Sequence, residues 1–157
     1  MDKFNYAEYL KLAYEEATKS LDPSTQNGAL LLIEEYRRGE PPVIIARDHN
    51  RFPNGVQYTE ARWQKPLKYK IIEHAERNVI YQLANLDGGG FNSTMVCCWA
   101  ACSDCSRAII QAGIKRLVTH KQAFDRSPPM WKEEIDIALE MLHEANVDVV
   151  FYDGVVG

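Results

Sequence analysis

The run STMVCCWAACSDCSRAIIQAGIKRLVTH, residues 93–120, reads as strand, loop, helix and strand. STMVCCWA is a short apolar segment of strand length, and KRLVTH is a second. CSDCSRAIIQAGI between them is helical. Two neighbouring strands joined through a helix run parallel. The alternation continues downstream, with WKEEIDIALEMLHEA (131–145) as the last long helix and VDVVFYD (147–153) as the last strand. Upstream, HAERNVIYQLANL (74–86) is a helix that the glycines at 88–90 end.

The chain opens on a helix. YAEYLKLAYEEATKSL (6–21) puts Ala7, Leu10, Ala13, Tyr14 and Ala17 on one face, and DPSTQNG (22–28) breaks it. ALLLIEEY (29–36) and PPVIIARD (41–48) form a β-hairpin with a polar tip. The whole order implies an α/β fold: a three-layer α/β/α sandwich on a five-stranded mixed sheet, parallel in its later part, with helices on both faces. Residues 48–70 are polar and aromatic and match no element. A compact domain keeps so long a segment for a purpose. At 157 residues, a single domain over 1–157 is expected.

Composition excludes some partners. A net charge of −4 disfavours wholesale binding to a nucleic-acid backbone, so no stable nucleic-acid partner is expected. No apolar run approaches the roughly 20 residues of a membrane helix. MDKFNYAEYL lacks the basic start and apolar core of a secretory signal, so a cytoplasmic protein is expected. The four cysteines are clustered at Cys97, Cys98, Cys102 and Cys105, whereas a disulfide framework would spread them. They read as metal-binding or core thiols in a reducing compartment.

HAERN, residues 74–78, has two readings on its own: a solvated helix start, or half of a metal site with its proton carrier. CSDC supplies the other half. Cys102 and Cys105 stand three apart at a helix start, on one side of it, where thiolates are favoured. His74 also lies at a helix start. One imidazole and two thiolates would hold Zn2+ and leave a tetrahedral position open, as catalytic zinc requires. A closed structural site would want a fourth ligand, but a strand points Cys97 and Cys98 to opposite faces, as core thiols. Glu76 is then free to move a proton. His-x-Glu followed by Pro-Cys-x-x-Cys is the signature of zinc deaminases, with the Glu as acid/base, and this chain carries it but for the Pro.

At these residues the chain resembles the cytidine/deoxycytidylate deaminase superfamily, and its deoxycytidylate branch most. DPSTQNGALLL, HNRFPNGV, HAERNVI and CSDCSRAIIQAGIKRLV carry the likeness, which covers most of the chain. The resemblance implies zinc on His74, Cys102 and Cys105, with Glu76 shuttling protons. It implies hydrolytic deamination of dCMP to dUMP with release of ammonia, on a small-molecule nucleotide and in a homo-oligomer such as a hexamer. Asn50 would help hold the sugar, and Ala75 would offer its N–H to the pyrimidine carbonyl. Asn78 matches the family's Asn after the acid/base Glu, and Asn27 would line the pocket.

Bland readings stand beside these. Asn50 and Asn27 both lie in turn-forming contexts. His49, His120 and His143 read as surface or structural residues, and Trp63 as a core anchor for the 48–70 segment. The lysines of KPLKYK (65–70) either receive a phosphate or form a solvated face. Four departures from the family bear on substrate choice and regulation. Ala101 stands where a Pro usually precedes Cys-x-x-Cys. Arg47, Asp48 and Arg51 surround Asn50 in a loop that forms a nucleotide effector site in the family. Arg77 replaces an apolar residue, and DRSPPMW (125–131) differs throughout. Two other readings remain open: a deaminase of another nucleotide or base, and a non-catalytic zinc-containing nucleotide-binding module.

Overall fold

In the computed structural model, which describes residues 4–34, 38–84 and 92–157, the chain forms one five-stranded sheet. The strands are β1 Gly28–Ile33, β2 Val43–His49, β3 Ser93–Cys97, β4 Arg116–His120 and β5 Asp148–Tyr152, in the order β2-β1-β3-β4-β5. β1 is antiparallel to both β2 and β3, while β3, β4 and β5 run parallel. This is the mixed sheet expected from the element order.

Side chains alternate across the sheet and divide the core in two. Ala29, Leu31, Met95, Cys97 and Leu117 face one way, against α3 Ala75–Ala84, α4 Ser103–Gln111 and α6 Pro129–Glu144. Leu30, Leu32, Val96, Cys98 and Val118 face the other way, against α1 Tyr6–Ala17. Cys97 and Cys98 thus lie back to back, as expected of core thiols. Burial pushes both well up, Cys98 to about 12.

α1 sits so close to β1 that a Cβ on Gly28 would stand 2.1 Å from the Ala13 carbonyl oxygen and 2.6 Å from the Ala17 nitrogen. Both are backbone atoms of a packed helix, and neither has room to move. Gly28→Ala is therefore expected to destabilise the fold by about 1–3 kcal/mol. An unchanged denaturant midpoint would contradict this.

α4 and α6 end alike. Gly113 (φ 77°) and Asn146 (φ 58°) take the left-handed conformation, and the N–H groups of Ile114 and Val147 donate back to Ile109 and Leu142. These Schellman closures turn each helix into the next strand. The glycines at 88–90, expected to end α3, lie outside the described residues.

The 48–70 segment is more ordered than its sequence implied. It holds a 3₁₀ turn, Glu60–Trp63, and a short helix, α2 Lys68–Ile71. Its core anchor is Phe52, 1% exposed, and Trp63 stacks over it at 4.2 Å, so the anchoring role read for Trp63 passes to Phe52. Arg51 is held through two nitrogens by Asp48, which also accepts from Gln82. A second short helix, α5 Lys121–Asp125, was likewise not read from the sequence. His120 is buried between the Tyr14 hydroxyl and the Gly154 carbonyl, a structural role. No helix among the described residues is long and apolar enough to cross a membrane.

Candidate active site

Two helix starts meet at one end of the sheet. His74 immediately precedes α3, and its carbonyl accepts from Asn78 N. Cys102 caps α4, and its carbonyl accepts from Ser106 N. A two-way backbone bridge between Arg51 and Glu73 brings the end of the β2 loop beside His74.

His74 Nδ1 lies 3.6 Å from Cys102 Sγ and 3.4 Å from Cys105 Sγ. With Zn–S near 2.3 Å and Zn–N near 2.0–2.1 Å, tetrahedral N and S ligands stand about 3.5 Å apart. The three donors therefore fit a zinc ion. The Cys105 thiol donates to Cys102, and His74 assists against burial, so the Cys102 thiol is held down at about 4. Donating that bond and being buried both push Cys105 well up. A second acidic group, Glu16 with Asp48 and His49, is already engaged by Lys19 and Arg51.

A cavity of about 310 Å³ opens onto this group. Its chemical end is lined by His74, Cys102, Glu76, Asn27 and Asn50. Glu76 is 2% exposed, and burial raises its pKa against the pull of His74. One Glu76 oxygen accepts from Asn27 Nδ2 at 3.3 Å. Apolar and aromatic lining comes from Tyr69, Ile72, Trp99, Trp131 and Ile135.

The family model for the cytidine and deoxycytidylate deaminase zinc-binding region matches residues 4–121. The chain belongs to this family. A deoxycytidylate deaminase of Pongo abelii is 30% identical over 124 residues, or 74% of this chain and 65% of that protein. The chain thus spans under two thirds of that relative's length. A deaminase of Aliivibrio fischeri, uncharacterised and encoded in the luxG 3' region, is 28% identical over 144 residues, covering 91% of this chain and 90% of that protein. The dCMP deaminase of cyanophage S-TIM5, solved in complex with dCMP and dUMP, shares the fold with a TM-score of 0.70 at 21% identity, over 97% of this chain and 99% of that one. Zinc is the cofactor of this deaminase family, and His74, Cys102 and Cys105 form the group here that could hold it.

Around this cavity the remaining candidates take distinct places. Asn50 reaches the cavity, yet its carboxamide is engaged by its own chain: Nδ2 donates to Asp22 and Thr25, and Oδ1 accepts from Asn27 N. Asn78 stands behind the wall and donates to the His49 carbonyl at 2.9 Å. Ala75 is fully buried in the first turn of α3, where backbone N–H groups have no intrahelical acceptor. Arg77 bonds Glu73 and lies 3.5 Å from Asp104. Burial would lower its pKa, but the sulfur of Cys105 and the Glu73 carboxylate raise it. Ala101 is 2% exposed in the core beside α4, and the three ligand atoms converge without the family's Pro.

Sequence reading missed Asp22 and misjudged Lys68. Lys68 is neither free nor on a solvated face: it is 4% exposed, and its Nζ lies 2.7 Å from Asp22 Oδ1. The one available signal was the Asp-x-Ser-Thr spacing of 22–25, since Asp22 accepts from the Ser24 and Thr25 N–H groups in an Asx turn. Burial acts to raise Asp22, but Lys68 and those N–H groups outweigh it and hold it below the usual carboxylate range. A carboxyl with a lowered folded pKa gives full stabilisation above its unfolded value of about 3.9, and loses it as pH falls through the folded value. The Asp22→Asn/Lys68→Met chain should therefore lose thermal stability less steeply than the parent below about pH 4. Equal slopes would contradict the assignment.

Proposed function

We propose that this chain is a zinc-dependent hydrolase that converts dCMP to dUMP and releases ammonia. The observation that carries the reading is Glu76: a buried carboxyl on the same cavity as a three-donor zinc group. A purely structural metal site has no use for it, which weighs against a non-catalytic module. The relatives named deoxycytidylate deaminase support the substrate.

His74, Cys102 and Cys105 would hold the ion. Zinc bound there supplies Lewis acidity and a water activated near neutral pH. Glu76 would take a proton from the attacking water and deliver it to the ring nitrogen as the C–O bond forms at the amine-bearing carbon. It would then take the second proton, from the hydroxyl now on that carbon, and pass it to the amine, which leaves as ammonia as the C–N bond breaks and the carbonyl forms. Burial raises the pKa of Glu76, which favours a carboxyl that holds a proton and returns it. The Ala75 N–H is offered to the pyrimidine carbonyl. Asn27 and Asn50 shape the cavity beside the reacting end, and Asn78 fixes the end of β2 behind it. The active form is a homo-oligomer, which light scattering checks.

The test is to supply dCMP to zinc-loaded protein and follow ammonia and dUMP. Absence of turnover on every cytosine nucleotide would sink the proposal. A second reading, a deaminase of another nucleotide or base, has one specific observation in its favour. Ser127, Pro128, Trp131 and Ile135 line the cavity but lie past residue 121, where the family match ends. A panel of nucleotides, nucleosides and bases separates the two readings.

A further inference from the structure

A buried ion pair that the proposed mechanism leaves unused joins the 51–71 segment to the cavity. Asp22 and Lys68 have side chains 2% and 5% exposed. Two charges removed from water stay favourable only where their remaining donors and acceptors are satisfied. Here they are. Asp22 Oδ1 also accepts from Ser24 N at 2.9 Å, Ser24 Oγ at 3.0 Å and Thr25 N at 3.1 Å. Lys68 donates to Ser24 Oγ as well.

The other oxygen of Asp22 points the pair toward the reacting end. Oδ2 accepts from Asn50 Nδ2 at 3.2 Å. Asn50 also donates to the Thr25 carbonyl at 2.8 Å, and its Oδ1 accepts from Asn27 N at 2.8 Å. Flipping that carboxamide would break all three bonds. Asn27 in turn donates Nδ2 to Glu76 Oε2 at 3.3 Å. Asn27 Nδ2 thus faces the carboxyl oxygen that accepts from it. Asn27 Oδ1 is buried with no partner among the described residues, so the contact at its nitrogen orients this side chain. The path from Lys68 through Asp22, Asn50 and Asn27 to Glu76 is continuous.

We propose that Asp22 is a positioning residue: it orients Asn50, whose Oδ1 holds the Asn27 backbone N–H, and so sets the Asn27 side chain against Glu76, which is held in one conformation on the cavity. Lys68 supplies the charge that lets Asp22 stay buried. The proposal rests on reading Glu76 as the proton carrier. A pair that merely fastened the loop would leave kcat per folded molecule unchanged.

The test compares Asp22→Asn/Lys68→Met, which removes both charges and leaves no unpaired buried ion, with Asn27→Ala and with the triple variant. Zinc content and thermal midpoint are measured first, then kcat and KM on dCMP below the midpoint. The double variant should keep its zinc and lose kcat by roughly 10- to 10²-fold, with a smaller change in KM. The triple variant should be no slower than the double, because both act through one contact. A double variant within about twofold of the parent in kcat, or losses that multiply in full, overturns the proposal. If the parent deaminates no cytosine nucleotide, the function fails, but the positioning claim keeps its own readout. In ¹⁵N-labelled parent, the Asn27 and Asn50 side-chain amides should be protected from solvent exchange, and in the double variant they should shift and lose protection. Unchanged signals in the variant overturn the proposal, as does an Asn27 amide in the parent that exchanges like a free one.

Discussion

Glu76→Gln is expected to keep its zinc and lose activity by roughly 10²- to 10⁴-fold. The replacement is near-isosteric, and its amide oxygen can still accept from Asn27 Nδ2. Packing around this 2%-exposed position is therefore retained. What disappears is a group that takes a proton and returns it. The same change tests the electrostatics. Burial raises Glu76 in the folded state, so the folded chain holds more protons than the unfolded one as pH climbs past about 4.3. Stability then falls as pH rises through the folded value, because ionising the buried carboxyl weakens the metal-free fold. Metal-free Glu76→Gln should melt no lower than the metal-free parent. Kinetics on zinc-loaded protein and thermal melts of stripped protein check both halves. A variant with parental kcat would remove Glu76 from the mechanism.

Cys105→Ala should abolish stoichiometric zinc, and deamination with it. Three donors converge here, and two do not hold zinc against water and buffer. The fold should survive. Cys105 sits in the first turn of α4 against an apolar core built on both faces of a five-stranded sheet, and that core does not depend on a metal. This contrasts with zinc fingers, whose metal-binding energy is their folding energy. Zinc analysis alongside circular dichroism separates the outcomes. Retained zinc would mean that another donor completes the site, and loss of native secondary structure would mean that the metal is structural.

Both expectations rest on parts of the chain that are readable in the sequence. The strands β1, β3 and β4 are short apolar runs next to helical spacing, and burial on both faces leaves them little else to be. His74, Cys102 and Cys105 were legible because helix starts fix where the first-turn side chains go. Other parts lacked a local signal. α2 is four residues long and has no periodicity of its own. It is held by Lys68 reaching Asp22, 46 residues away, a contact that no window along the chain contains. The same holds for Arg77. Its neighbours in sequence say nothing of Asp104, and its place between Glu73 and that carboxylate emerges only when α3 and α4 come together. Asn50 shows the opposite limit: its motif drew attention to substrate, while the folded chain shows its amide engaged by Asp22, Thr25 and Asn27.

The α6 residues of the cavity lining have a consequence for how the molecule is made. Every zinc donor lies at or before Cys105, while Trp131 and Ile135 belong to α6. Synthesis runs from the N-terminus. The residues of the ion-binding corner therefore leave the ribosome ahead of the helix that lines the same cavity. The α6 part of the lining is the last to be synthesised.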